Sequence, residues 1–169
     1  MVNDRMPLKY RLHWCSIRFM QKQGLAGMIA DTIPEENPQE LPAGMDTREK
    51  VLLVDDDETH LEILRHGLEY QGFEVVTLSS AENLLQQVVA HKPDAIILDV
   101  YLPGGNGLEI CQELMDSPAT AMIPVIILSG SIESTIVRQA RAAGCRYFLS
   151  KPFDPNTLLM AVRQSIDEC

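Results

Sequence analysis

Residues 51–58, with the sequence VLLVDDDE, are the strongest indication of the fold of this 169-residue chain. Four apolar residues, Val51 to Val54, run without interruption and end in three aspartates. An uninterrupted apolar run of this length is typical of a parallel strand that is buried on both faces. A strand with one solvent-exposed face alternates apolar and polar residues instead. The run therefore predicts a buried strand whose carboxyl end carries charged side chains.

Four more apolar runs follow, and each run precedes a stretch with helical spacing. The strands are predicted at residues 51–54, 75–78, 95–98, 124–128 and 147–149. The first helix is expected to bury Leu61, Leu64 and Leu68 and to stop at Gly72. The second is expected to carry Leu84, Leu85, Val88 and Val89 on one side and to end before Pro93. Later helices are predicted at 107–116, 131–143 and 156–166.

This alternation of strands and helices predicts an α/β fold. Parallel strands are joined by right-handed helical crossovers, which cover the sheet on both faces. We therefore expect a five-stranded parallel sheet with helices on both faces over residues 49–169. Open sheets of this kind bind ligands outside the carboxyl ends of their strands. The residues that follow each strand are thus the candidates for function.

Charged and polar side chains follow four of the five predicted strands. Asp55, Asp56 and Asp57 follow the first, Asp99 the third, Ser129 the fourth and Lys151 the fifth. Carboxylates held close together repel one another, and a hard divalent cation such as Mg²⁺ relieves that repulsion. One carboxylate can then attack phosphorus, while a lysine and a hydroxyl stabilise the phosphoryl oxygens. The pattern predicts a phosphoryl-transfer site that holds a metal ion.

Each of these residues also has an ordinary explanation when it is taken alone. An aspartate after a strand is commonly a helix N-cap, which is our interpretation of Asp57 before Glu58. Lys151-Pro152 fits a simple turn, and Ser129 fits a buried hydroxyl with a local partner. The functional interpretation depends on their convergence at one edge of the sheet.

These stretches resemble the receiver domain of bacterial response regulators. The resemblance covers about residues 49–168 and is carried by VLLVDDDE (51–58), IILDVYLPGGNG (96–107), PVIILSG (124–130) and YFLSKPF (147–153). It implies a flavodoxin-like fold of five βα units with strand order 2-1-3-4-5. It also implies a cis peptide bond between Lys151 and Pro152. Leu102 departs from the family, which usually has Met before the loop proline.

The resemblance assigns a metal site and a phosphoryl acceptor to this edge. Asp99 resembles the family's phosphoryl acceptor, and Asp55 and Asp56 resemble its acidic pair. Mg²⁺ or Mn²⁺ would be bound by Asp55, Asp56, Asp99 and the backbone carbonyl of Tyr101. Lys151 resembles the lysine that contacts the phosphoryl group.

The resemblance further implies a switch. Ser129 stands where the family has Thr or Ser, and Phe148 stands where it has a switching aromatic residue, here without a hydroxyl. A histidine kinase or a histidine phosphotransfer protein would phosphorylate Asp99 in a two-component phosphorelay. A downstream protein would then bind the face formed by the fourth helix, fifth strand and fifth helix, and phosphorylation could also promote a homodimer. The chain would be a regulator rather than an enzyme, with self-phosphorylation from small phosphodonors and autodephosphorylation at most.

Two alternatives remain open at this point. Asp55, Asp57 and Thr59 match the Asp-x-Asp-x-Thr motif of haloacid-dehalogenase-like phosphatases, in which Asp55 would be the nucleophile. That alternative leaves Asp99 unexplained and needs a further acidic pair after Lys151. The other alternative is a binding module that keeps the fold and never takes a phosphoryl group.

Composition favours a cytoplasmic protein that does not bind nucleic acid directly. The net charge is −10, and residues 1–45 carry five basic and five acidic side chains, so the excess of acid lies in residues 46–169. Such a surface repels a phosphate backbone. The four cysteines form no Cys-x-x-Cys pair, and no apolar run is long enough for a transmembrane segment.

The first 48 residues form a predicted extension with an acidic, proline-containing linker at 31–49. The alternation from Leu8 to Trp14 suits a strand, while the spacing of Leu8, Leu12, Cys15 and Phe19 suits a helix. This extension could bind a membrane surface or a partner protein, but we favour the interpretation that it is disordered. Because the chain ends soon after the receiver pattern, we expect a stand-alone receiver without an output domain.

Overall fold

The apolar runs form the strands of one sheet in the computed structural model, which describes residues 48–168. The strands are β1 (Lys50–Val54), β2 (Glu74–Leu78), β3 (Ala95–Asp99), β4 (Val125–Ser129) and β5 (Tyr147–Ser150). The helices are α1 (Glu58–Tyr70), α2 (Leu84–His91), α3 (Gly107–Asp116), α4 (Ser134–Ala142) and α5 (Pro155–Asp167). The predicted extension, except its last residue, lies outside the described residues.

The five strands are parallel and lie in the order β2-β1-β3-β4-β5, which confirms the predicted fold. Val54 pairs with Leu98, so Asp55 and Asp99 follow at the same level on neighbouring strands. Asp99 pairs with Leu128, one residue before Ser129. The register therefore brings the carboxyl ends of β1, β3 and β4 to one edge.

Burial explains why the central strands are apolar throughout. Every residue of β3 and β4 is buried, and so are Val51 to Val54 of β1. Alternate residues enter opposite cores: Leu52 and Val54 pack with α2, α3 and α4, whereas Val51 and Leu53 pack with α1 and α5. The edge strands β2 and β5 are half-buried along their whole length.

Two details of the helices differ from the sequence prediction. Leu84 and Val88 of α2 are buried, but Leu85 and Val89 are 37% and 46% exposed, so the predicted inner side was too wide. Helix α4 begins at Ser134, because Ser131 is held in a turn by its backbone hydrogen bonds with the Ser129 hydroxyl.

Local hydrogen bonds fix where α1 begins and ends. The Asp57 carboxylate accepts from the backbone N–H groups of Thr59 and His60 at 2.9 and 3.1 Å, which confirms the predicted N-cap. Past its other end, Gly72 has a φ of +92°, a left-handed conformation that glycine adopts without strain. Because Asp57 is the N-cap, helix α1 starts immediately beside the carboxyl end of β1.

The segment between β3 and α3 contains a small hairpin that the sequence did not predict. Tyr101–Leu102 pairs with Gly105–Asn106 in antiparallel fashion, and the Asn106 side chain then caps α3 by accepting from Leu108 N–H at 2.9 Å. Gly107 closes the segment by donating its N–H to Val100 O at 2.8 Å. A Cβ atom on Gly107 would lie 2.0 Å from the carbonyl oxygen of Asp99.

Among residues 48–168, no helix has both the length and the apolarity needed to cross a bilayer.

Two glycine substitutions should change stability in opposite directions. Gly107→Ala should lower the free energy of unfolding by about 3 kcal/mol, because a methyl group there overlaps the Asp99 backbone. Gly67→Ala in α1 should raise it by up to about 1 kcal/mol, because a Cβ there meets nothing within 4 Å and alanine favours helix. Urea unfolding followed by circular dichroism measures both. Equal effects for the two variants would contradict the close approach at Gly107.

Candidate functional site

Lys151 connects two carboxylates at the carboxyl edge of the sheet. Its Nζ donates to Asp55 Oδ2 at 2.6 Å and also to Asp99 Oδ2. The backbone N–H of Lys151 donates to Ser129 O at 2.7 Å, which anchors the residue after β5 to the end of β4. The Lys151–Pro152 peptide bond is cis, as the resemblance implied. Side chains that are 96 and 52 residues apart in the chain therefore meet in one ion-pair network.

Asp55 lies at the centre of this network. Its carboxylate is buried, with a side-chain exposure of 1%. Oδ1 accepts from the backbone N–H of Asp57 at 3.0 Å, and Oδ2 lies 2.6 Å from His60 Nδ1 in addition to Lys151 Nζ. A buried carboxylate is costly unless its oxygens are hydrogen-bonded, and here both oxygens have donors.

Hydrogen bonding outweighs burial in setting the charges of this pair. Burial alone raises the pKa of Asp55, but the bonds from Lys151, Asp57 N–H and His60 bring it below its usual 3.8. Burial alone lowers the pKa of Lys151, but the bonds to Asp55 and Asp99 raise it above its usual 10.5. The carboxylate of Asp55 and the ammonium of Lys151 are therefore both charged at neutral pH.

Asp99 ends β3 with a carboxylate that faces the same network. The residue is 6% exposed, and its Oδ1 accepts from the backbone N–H of Tyr101 at 3.0 Å while Lys151 binds Oδ2. The close approach of Gly107 to its carbonyl oxygen fixes the backbone behind it. Its orientation is therefore held from the backbone and from both carboxylate oxygens.

Asp55, Asp56 and Asp99 form an acidic cluster that fits a divalent cation. One oxygen from each lies within 4.8 Å of the others. Ligands on opposite sides of an octahedral Mg²⁺ are about 4.2 Å apart, so this spacing is close to that of a bound ion. Asp55 and Asp99 are buried and Asp56 is exposed, which leaves one side of the cluster open for retained waters. Three carboxylates outnumber the Lys151 ammonium, so a divalent cation would offset the remaining negative charge.

Ser129 and Phe148, the predicted switch residues, lie near this edge on β4 and β5. Ser129 is fully buried, and its hydroxyl accepts from Ser131 N–H at 3.1 Å and donates to Ser131 O at 3.0 Å. Phe148 pairs with Ile127 and is partly buried against the core that includes α4. Ser129 thus contacts the loop that follows β4, and Phe148 packs against the core to which α4 contributes.

His60 is the site residue that sequence reasoning missed. It is the third residue of α1, and its imidazole reaches back to Asp55. The predicted Asp57 N-cap offered a signal, because the first turn of a helix that starts directly after a strand lies beside that strand's end. The structure brings together the side chains that the sequence did predict for this edge, which are Asp55, Asp56, Asp99 and Lys151.

Comparison with known proteins gives a consistent family. Residues 51–163 match the family model described as the response regulator receiver domain. The alkaline phosphatase synthesis transcriptional regulatory protein PhoP of Bacillus subtilis is 33% identical over 114 residues, which are 68% of this chain and 47% of PhoP. The chain spans about half the length of the curated relatives that it matches.

Solved structures agree with this match. A putative response regulator from Chloroflexus aurantiacus is 34% identical with a TM-score of 0.67, over 70% of this chain and 98% of that one. A response regulator from Burkholderia pseudomallei, described with a phosphorylated aspartic acid, a calcium ion and citrate, is 26% identical with a TM-score of 0.63, over 71% of this chain and 69% of that one.

The parallel sheet, the acidic edge bridged by a lysine and the family match over residues 51–163 agree with one another. This chain belongs to the response regulator receiver domain family.

Proposed function

We propose that Asp99 accepts a phosphoryl group from a histidine kinase or a histidine phosphotransfer protein. The observation that carries the proposal is the Lys151 ammonium, which binds both Asp55 and Asp99. A carboxylate oxygen of Asp99 forms a bond to phosphorus, the P–N bond of the donor phosphohistidine breaks, and its electron pair returns to the donor imidazole. The product is an acyl phosphate on Asp99.

The chain's own groups do the positioning for this transfer. Tyr101 N–H holds Asp99 Oδ1 at 3.0 Å, and Lys151 is within reach of the transferred group because it already contacts Asp99. Charge placed in advance where the phosphoryl oxygens arrive lowers the barrier without reorganisation. Small phosphodonors would use the same geometry for self-phosphorylation. Attack of water on the acyl phosphate would give autodephosphorylation.

A bound Mg²⁺, or Mn²⁺ in its place, would be held by Asp55, Asp56, Asp99 and the backbone carbonyl of Tyr101. When bound, the ion supplies positive charge that neutralises oxygens of the transferring phosphoryl group. The spacing of the three carboxylates supports this assignment. The calcium ion and the phosphorylated aspartic acid described for the Burkholderia protein support the same chemistry here.

Phosphorylation would be transmitted through Ser129 and Phe148. The Ser129 hydroxyl bonds locally to Ser131, and a phosphoryl group on Asp99 would offer it a stronger, charged acceptor. Its movement would shift the β4–α4 loop and free space for the Phe148 ring, which biases the α4–β5–α5 face toward a partner-binding form. A downstream protein or a second copy of the chain would bind that face. We assign the protein to the cytoplasm, where phosphorylated kinases supply the group, and expect no direct contact with nucleic acid.

The phosphatase alternative fits the site poorly. Its nucleophile would be Asp55, whose side chain is less exposed than that of Asp99 (1% against 8%) and whose Oδ2 is shared by Lys151 and His60. Asp99, which the alternative leaves without a role, contacts the same lysine. The binding module without phosphorylation is tested by the labelling experiment below.

Asp99→Asn should abolish labelling by acetyl phosphate in the presence of Mg²⁺. The amide oxygen is a far weaker nucleophile than a carboxylate and forms no acyl phosphate. Intact-mass spectrometry should detect one added phosphoryl group on the wild-type protein and none on the variant. Asp57→Asn is the matched control, because asparagine keeps the N-cap and Asp57 lies on the same edge.

Labelling that persists in Asp99→Asn and disappears in Asp55→Asn would favour the phosphatase. An unlabelled wild-type protein would favour the binding module.

Asp56→Asn should weaken stabilisation by Mg²⁺. A ligand present at 100 times its Kd raises the free energy of unfolding by about 2.7 kcal/mol, and loss of one carboxylate ligand should remove most of that gain. Thermal unfolding with Mg²⁺, and with NaCl at equal ionic strength, measures the difference. Full Mg²⁺ stabilisation of Asp56→Asn would rule out Asp56 as a ligand.

Ser129→Ala should uncouple phosphorylation from the switch. Beryllofluoride, which mimics the acyl phosphate, should shift the backbone amide resonances of α4, β5 and α5 in the wild-type protein. The alanine variant should lose most of these shifts, and Ser129→Thr, which restores the hydroxyl, should retain them. Unchanged shifts in Ser129→Ala would contradict the assigned role.

A further inference from the structure

Asp55 Oδ2 is shared between two side chains that approach it from different elements. Lys151 Nζ lies 2.6 Å away and comes from the end of β5, while His60 Nδ1 lies 2.6 Å away and comes from the first turn of α1. The two contacts differ in what else they do. Lys151 also binds Asp99, the proposed acceptor, whereas His60 has Asp55 as its side-chain hydrogen-bond partner at this edge.

The imidazole of His60 is held in a defined orientation. Its backbone N–H donates to Asp57 Oδ1 at 3.1 Å, and its ring lies 5.8 Å from the Phe153 ring at an interplanar angle of 52°. An ionised carboxylate can only accept hydrogen bonds. His60 Nδ1 therefore carries a proton and donates a hydrogen bond to Asp55 Oδ2. The contact thus fixes which ring nitrogen is protonated.

Phosphoryl transfer changes the demands on Lys151 but not on His60. Negatively charged phosphoryl oxygens on Asp99 would compete with Asp55 for the Lys151 ammonium. The Asp55 side chain is 1% exposed, so water cannot readily replace the lost donor. His60 contacts Asp55 rather than Asp99, so its hydrogen bond does not depend on the state of the proposed acceptor.

We propose that His60 is a positioning residue that holds Asp55 in its metal-binding orientation independently of Lys151. The proposal rests on the function proposed above and adds a residue to the same site. Hydrogen-bonding partners behind a metal-binding carboxylate fix its direction, and their loss typically reduces metal affinity about 10- to 100-fold.

Mg²⁺ binding, measured by isothermal titration calorimetry without any phosphodonor, tests the proposal. His60→Leu removes the donor and should raise the Kd for Mg²⁺ about 10-fold or more. His60→Asn should stay near the wild-type value, because its amide nitrogen occupies nearly the place of Nδ1. His60→Gln should resemble His60→Leu, because its amide nitrogen lies nearer the place of Nε2. His66→Leu, at an exposed position of the same helix, should leave the Kd unchanged.

A second background separates His60 from Lys151. In Lys151→Met one of the two side-chain donors to Oδ2 is gone, so the loss of Mg²⁺ affinity caused by His60→Leu should be larger than in the wild-type background. Histidine ¹⁵N resonances of the metal-free protein provide a readout without the ion: His60 should carry its proton on Nδ1, and Asp55→Ala should return it to Nε2, which free neutral histidine prefers.

The outcomes distinguish this inference from the proposed function. A wild-type protein that neither binds Mg²⁺ nor labels on Asp99 would overturn both. A wild-type protein that does both, with an unaltered Kd in His60→Leu, would overturn only the role of His60. If His60→Leu fails to fold, the comparison of His60→Asn with His60→Gln decides. Equal Kd values for Mg²⁺ in those two variants would overturn the positioning role of His60.

Discussion

The ion-pair network of Lys151 with Asp55 and Asp99 is the interaction on which the site depends. It joins the residues that follow β1 and β5 to the end of β3, and the backbone bond from Lys151 to Ser129 adds the end of β4. Burying like charges is tolerable only where opposite charge and hydrogen bonds compensate. The network therefore sets how close the carboxylates lie, and the proposed binding of a cation and a phosphoryl group requires that closeness.

The sequence predicted the fold because its strongest signals are physical requirements of that fold. Strands β1, β3 and β4 are buried on both faces, so Val51 to Val54 and their counterparts had to be apolar throughout. Parallel strands bring their carboxyl ends to one edge, so the residues after them were the right candidates. The spacing of Asp55, Asp56 and Asp99 agrees with that expectation.

Other features depend on packing that local sequence does not encode. Leu85 and Val89 follow the helical period as well as Leu84 and Val88 do, and only the geometry of α2 on the sheet decides which pair is buried. The start of α4 depends on the bonds between Ser129 and Ser131. The predicted N-cap at Asp57 indicates that His60 lies near the end of β1, but the contact of its imidazole with Asp55 depends on the angle at which α1 packs beside β1.

The close approach of Gly107 to the backbone of Asp99 limits which substitutions this part of the sequence can accept. Any side chain at that position would collide with the main chain of Asp99, so the position tolerates no other amino acid without backbone movement. Neighbouring Gly104, at a φ of +86°, is constrained by conformation instead, and a side chain there would meet the flexible end of Glu82. Substitutions in this segment should therefore be tolerated better at the exposed Tyr101 and Pro103 than at Gly107, whose lack of a side chain keeps the backbone of the proposed phosphoryl acceptor in place.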